Sequence, residues 1–147
     1  MPFIYETYDT VSQSGFKNFR ADLPAYITKN LKYPLRPYQE EAIGRYLHNK
    51  TDDNRAIPEQ ILYNMATGSG KTLLMAAVIL EKYKQGERNF IFFVNNDNIL
   101  TKTKDNFLES GSGKYLFAEK IVMDGQIVTV REVTDFSDSR DDSINIV

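Results

Sequence analysis

In the run Gln60-Ile61-Leu62-Tyr63-Asn64-Met65-Ala66-Thr67-Gly68-Ser69-Gly70-Lys71-Thr72-Leu73-Leu74-Met75-Ala76-Ala77-Val78-Ile79-Leu80-Glu81-Lys82-Tyr83-Lys84, an apolar segment leads into a glycine-bearing loop. A helical apolar segment follows at once. Strand, glycine loop, Lys-Thr and helix, in that order, is the setting in which such a loop holds phosphate. Gly68 and Gly70 let the backbone take φ values that other residues resist, so successive N–H groups can turn towards one anion. The helix adds its unpaired N–H groups and the positive end of its dipole. Lys71 is expected to set an ammonium against the β- and γ-phosphates, and the Thr72 hydroxyl to help hold Mg²⁺ through the nucleotide. Thr67, Gly68, Ser69 and Gly70 complete the expected cradle. The strict pattern has Gly or Ala five residues before Gly70, where this chain has Met65. The competing reading is a flexible loop capping an ordinary helix.

Downstream, the polar tail Glu81-Lys82-Tyr83-Lys84 runs out to Gly86, a helix stop signal. Residues 89–94, Asn-Phe-Ile-Phe-Phe-Val, form a nearly continuous apolar run, as in strands buried on both faces of a parallel sheet. With a strand expected at 60–64, a βαβ unit spans 60–94, its crossover right-handed. A helix is expected over 99–109, burying Ile99, Leu100, Phe107 and Leu108. Gly111-Ser112-Gly113-Lys114 echoes the phosphate loop, but no strand precedes it and Tyr115 replaces the metal-binding hydroxyl, so it reads as a turn. Asp124-Gly125 between two β-rich runs, 120–123 and 126–133, signals a tight hairpin. An acidic loop follows over 135–143. Residues 144–147 read as the start of a further strand, and from this the chain is expected to be a fragment of a longer protein.

Upstream, residues 1–21 carry aromatics without a firm period and are expected to form an irregular lead-in. Asp22-Leu23-Pro24 signals a short helix ending near Asn30 or Leu31. A longer helix is expected over 37–49, with Ala42, Ile43, Tyr46 and Leu47 on one face. Gln39 and Arg36 stand at its start, where side chains can reach a neighbouring ligand. Asp52-Asp53-Asn54-Arg55 reads as part of a polar loop.

Composition sets the bounds. At 147 residues the chain suits one domain. A net charge of −2 gives no global attraction to nucleic acid, so any such surface has to be local. The absence of cysteine excludes disulfides and thiolate metal sites within the sequence. The single histidine, His48, excludes a multi-histidine zinc site and is expected on the solvated side of its helix. No run suits a leader or a bilayer span, and a cytoplasmic protein with no membrane partner is the expectation.

Leu35-Arg36-Pro37-Tyr38-Gln39, followed after about thirty residues by Met-Ala-Thr-Gly-Ser-Gly-Lys-Thr, resembles the opening of a superfamily-two helicase or translocase. It is most similar to the ATPase part of the Res subunit of type III restriction endonucleases and the related type I motor subunits. The resemblance covers residues 22–108 well. It implies an α/β fold: an incomplete P-loop NTPase (RecA-like) domain with a parallel sheet, helices on both faces and an inserted β-hairpin. Residues 22–147 would be the N-terminal part of a helicase-type ATP-binding domain. The implied cofactors are ATP and Mg²⁺. The implied partners are double-stranded DNA and a modification (methyltransferase) subunit.

The same resemblance assigns adenine recognition to Gln39, whose amide can donate to one base-edge atom and accept from another. Arg36 stands open between a nucleotide contact and pairing with an acidic neighbour. Val94-Asn95-Asn96-Asp97-Asn98 occupies the place of the family's first DNA-contacting motif, where many relatives carry a proline. Asn95, Asn96 and Lys102 are the nucleic-acid candidates there, against a plain solvated face formed with Lys104 and Asp105. The family's Asp-Glu pair, which completes the Mg²⁺ site, is not found at the end of any apolar run, and negligible ATP turnover is expected of residues 1–147 alone. Two other functions compete: a different P-loop ATPase motor, and a nucleotide-binding module without turnover.

Overall fold

The computed structural model describes residues 4–21, 23–51 and 58–147. The expected cap at Asp22 and the expected polar loop at 52–55 lie outside them. The chain divides into two compact units, Met1–Pro24 with Leu35–Ser69, and Ala25–Pro34 with Gly70–Val147.

The first unit holds helix α1, Ile4–Gln13, and much of its core comes from a later helix, Pro37–Lys50. The lead-in expected to be irregular is therefore helical over Ile4–Gln13 and irregular over 14–21. Its period was hidden because the half-buried face includes Ser12 beside Tyr8 and Val11, so few apolar residues mark it. Arg45 ties the two helices, its Nη2 donating to Asp9 Oδ1 and Glu41 Oε1 at 2.6 Å each. Burial works against that charge, but the two carboxylates outweigh it and hold the guanidinium pKa above its ordinary value. His48 does not sit on a solvated face. It is half-buried in an aromatic cluster, with ring centroids 5.6 Å from Tyr8 and 5.5 Å from Phe19.

In the second unit, the short helix α2 is Ala25–Thr28; the long helix of the first unit, Pro37–Lys50, is α3 in chain order. Helix α4, Lys71–Lys84, buries Leu73, Leu74, Ala76, Ala77, Ile79 and Leu80, as its apolar run requires. It stops at Gly86, whose φ of 103° lets the N–H groups of Gly86 and Glu87 return to the carbonyls of Tyr83 and Lys82. Strand β1, Asn89–Phe90, comes next, and then helix α5, Asp97–Phe107. Strands β2, Ile121–Met123, and β3, Gln126–Glu132, form the expected hairpin, with Met123 paired to Gln126 across Asp124-Gly125. Both turn residues have positive φ, 51° and 79°, as a two-residue primed turn demands. Strand β4, Ser143–Ile146, completes the set.

The sheet order is β1-β4-β3-β2, with β4 parallel to both β1 and β3. This is an α/β arrangement with a mixed, mostly parallel sheet and helices packed on both faces. The hairpin is no separate insertion: β3 is a full member of the sheet, and β2 adds the antiparallel edge. All four residues of β4 are buried, as befits a strand between two parallel neighbours.

Two expected strands differ. Residues 60–64 form no strand among the described residues; Ile61 and Leu62 are exposed, Leu62 to 90%, and only Tyr63 is half-buried. The expected βαβ unit over 60–94 is accordingly not formed there. The run at 89–94 contributes only the two residues of β1, plus one bond from Phe92 N–H to the Val147 carbonyl at 3.1 Å. It lies at the sheet edge with a single covered face. Phe92 packs on Phe107 at 4.9 Å between centroids, while Ile91 and Phe93 face outward. Continuous apolarity thus signalled an edge, not a doubly buried strand. In α5 only Phe107 of the four expected residues is fully buried, and Ile99 and Leu100 are exposed.

Candidate functional site

The loop before α4 is shaped by two glycines. Gly68 and Gly70 have φ of 79° and 78°, and the Ser69 N–H closes back on the Ala66 carbonyl at 3.2 Å. A Cβ on Gly68 would meet no atom within 4 Å, so glycine is required there by backbone conformation and not by packing. The chain passes from the first unit to the second between Ser69 and Gly70.

On the second-unit side, Gly70 is the N-cap of α4 in the left-handed conformation and brings no capping side chain. Its carbonyl takes the N–H groups of Leu73 and Leu74 at 3.0 and 3.3 Å, which fixes the start of the helix. Lys71 is the first helical residue and exposed; Thr72 is the second and half-buried. A cation and a hydroxyl in the first turn of a helix can meet an anion together with the helix dipole.

On the first-unit side, Thr67 and Gly68 are exposed and Ser69 half-buried. The Ser69 hydroxyl is buried with no hydrogen-bond partner among the described residues. Its carbonyl is well served: Tyr38 Oη donates to it at 2.8 Å and Gln39 Nε2 at 3.0 Å. Gln39 is 2% exposed, at the third position of α3, and its Oε1 accepts the Arg36 N–H at 2.8 Å. That bond is one half of a capping box and pins the amide. Arg36 is exposed at the N-cap, and its guanidinium donates to the Tyr38 hydroxyl at 3.2 Å. Arg36, Tyr38, Gln39 and Ser69 therefore form one connected group, although thirty residues separate its two parts.

Tyr38 is the residue that sequence reasoning passed over. It appeared only as a letter of Arg-Pro-Tyr-Gln, and its place beside Gln39 was the signal available. The nucleic-acid candidates lie elsewhere, in the second unit. Asn96 caps α5 by accepting the Ile99 N–H at 3.0 Å, and Asn95 and Lys102 are exposed. Lys104 is paired with Glu132 at 2.6 Å and Asp105 with Lys114 at 3.4 Å, which makes that side of α5 a salt-bridged face. Gly111–Lys114 is a turn, as expected, with the Ser112 N–H on the Glu109 carbonyl at 2.8 Å. Among the described residues no cluster of three or more metal-ligating side chains occurs, and no helix is long and apolar enough to cross a membrane.

A family model described as "Type III restriction enzyme, res subunit" matches residues 32–147, more than half of the chain. The chain belongs to this family. Membership takes in both the Arg-Pro-Tyr-Gln segment and the loop before α4. The chain is also 40% identical over 126 residues to the "Probable type III restriction-modification enzyme HindVIP Res subunit" of Haemophilus influenzae. That alignment covers 81% of this chain and 24% of the relative, so the chain spans about a quarter of the length of the curated protein it matches. No solved structure gives a significant match.

Proposed function

We propose that the chain is the ATP-binding portion of a DNA-dependent ATPase, a translocase or helicase serving as the Res subunit of a type III restriction-modification enzyme. Its fold is read as the P-loop NTPase (RecA-like) type, with residues 22–147 in the ATP-binding domain. The observation that carries the reading is the loop 65–70, whose two left-handed glycines run straight into the first turn of α4 at Lys71-Thr72. The family to which the chain belongs supports it.

In this reading Lys71 meets the β- and γ-phosphates, and Thr72 joins nucleotide oxygens in holding Mg²⁺. Thr67, Gly68, Ser69 and Gly70 form the cradle, and the Ser69 hydroxyl, which has no partner among the described residues, suits a polar ligand there. When bound, ATP with Mg²⁺ supplies the phosphoanhydride whose hydrolysis drives movement. Gln39 reads adenine, and Arg36 is the remaining candidate at the same helix start. Both ends of the Gln39 amide are engaged, so reading a base requires one of those bonds to be shared or exchanged. Double-stranded DNA is met at the start of α5 through Asn95, Asn96 and Lys102. A modification subunit is the protein partner, and the cytoplasm is the place of action.

The adenine assignment is tested by calorimetric titration with Mg·ATP and Mg·GTP. ATP is expected to bind more tightly, and Gln39→Ala to erase most of the difference. Equal affinity of the native chain for both nucleotides would remove Gln39 from the reading.

A further inference from the structure

The Ser69 carbonyl receives two side-chain donors from α3, and only one belongs to the residue proposed to read the base. From this convergence we infer that Tyr38 is a positioning residue: its hydroxyl fixes the phosphate-facing side of the loop by anchoring the Ser69 carbonyl. The inference rests on the proposed nucleotide site and adds to it a residue with no assigned role.

In a trans peptide the carbonyl and the following N–H point in opposite directions. Holding the Ser69 carbonyl towards α3 therefore turns the N–H of the same peptide, that of Gly70, the other way. Gly70, on one side of this peptide, supplies little rigidity, because it lacks a Cβ to restrict its φ. Without an external anchor the 69–70 peptide can rotate about the Ser69 ψ and Gly70 φ bonds, and each rotation exchanges a donor for an acceptor where an anion should sit. Tyr38 Oη at 2.8 Å is the shorter of the two anchoring bonds. It is itself steadied by the Arg36 guanidinium at 3.2 Å, which orients the hydroxyl by donating to it and leaves its hydrogen for Ser69. The tyrosine ring is 42% exposed, so its conformation is not dictated by packing alone.

Because the anchor acts on the loop and not on the base, it should serve any polyphosphate. Tyr38→Phe removes one hydroxyl and keeps the ring. We expect it to weaken Mg·ATP and inorganic tripolyphosphate, which has no base, by the same factor of about fivefold, the loss of one hydrogen bond. In the ligand-free chain, hydrogen exchange of the Ser69 amide, closed on Ala66, should rise by about the same factor. Unchanged far-ultraviolet circular dichroism would confirm that α3 is intact in the variant. A loss confined to ATP would place Tyr38 on the base and overturn the inference, as would unaltered exchange at Ser69. Should the native chain bind neither probe, the nucleotide reading itself fails, while the exchange measurement still decides whether Tyr38 holds the loop.

Discussion

The backbone carbonyl of Phe19 lies so close to Gly44 of α3 that a Cβ built on Gly44 would come within 1.7 Å of its oxygen. Glycine is an unfavourable helix residue, and in an open helix its replacement by alanine would stabilise by about 1 kcal/mol. Here the sign reverses, because the obstacle is backbone and cannot rotate away. Either α3 or the segment carrying Phe19 must shift, and Phe19 is itself buried against Tyr8 and His48. Gly44→Ala is expected to destabilise the chain by about 2 kcal/mol in denaturant unfolding. A stabilised variant would show that the close approach is not maintained in solution.

A second prediction concerns alkaline pH. Tyr26 of α2 donates its hydroxyl to Glu81 of α4, a carboxylate only 5% exposed. Burial first, and then the hydrogen bond and negative charge of Glu81, push the Tyr26 pKa well above its ordinary value. The neutral phenol is thus favoured by the fold. Its contribution is fully present below the unfolded tyrosine pKa of about 10 and is lost as the pH climbs beyond that value. At pH 8, Tyr26→Phe is expected to cost about 1 kcal/mol, since Glu81 loses a donor. The gap between native and variant should narrow above about pH 10. A gap that stays constant from pH 8 to 11 would count against the Tyr26–Glu81 bond.

How much of this was legible depends on which interactions are local. Helix α4, its stop at Gly86 and the Asp124-Gly125 hairpin are written in neighbouring residues, by apolar period and by positive-φ chemistry, and they stand where expected. Strand identity is a matter of partners. The runs at 60–64 and 89–94 have strand composition, yet the first pairs with nothing among the described residues and the second only at the edge of β4. Helix α1 was missed for the opposite reason. It is held by Arg45 and Asp9 across thirty-six residues, a polar contact with no signature in a hydrophobic pattern. In the candidate site, Gly68 to Thr72 were singled out by their order after an apolar run, and Gln39 by the family resemblance. The convergence of Tyr38 and Gln39 on one carbonyl was not, because a backbone acceptor carries no residue type to read.

The central claim is that the loop ending in Lys71-Thr72 binds nucleotide phosphate. Calorimetric titration of Mg·ATP into the native chain and into Lys71→Ala tests it most directly. Saturable binding by the native chain is expected, with affinity lower by about tenfold or more in the variant, the loss of a charge-assisted contact. Binding of equal strength in the two, or none in the native chain, would contradict it.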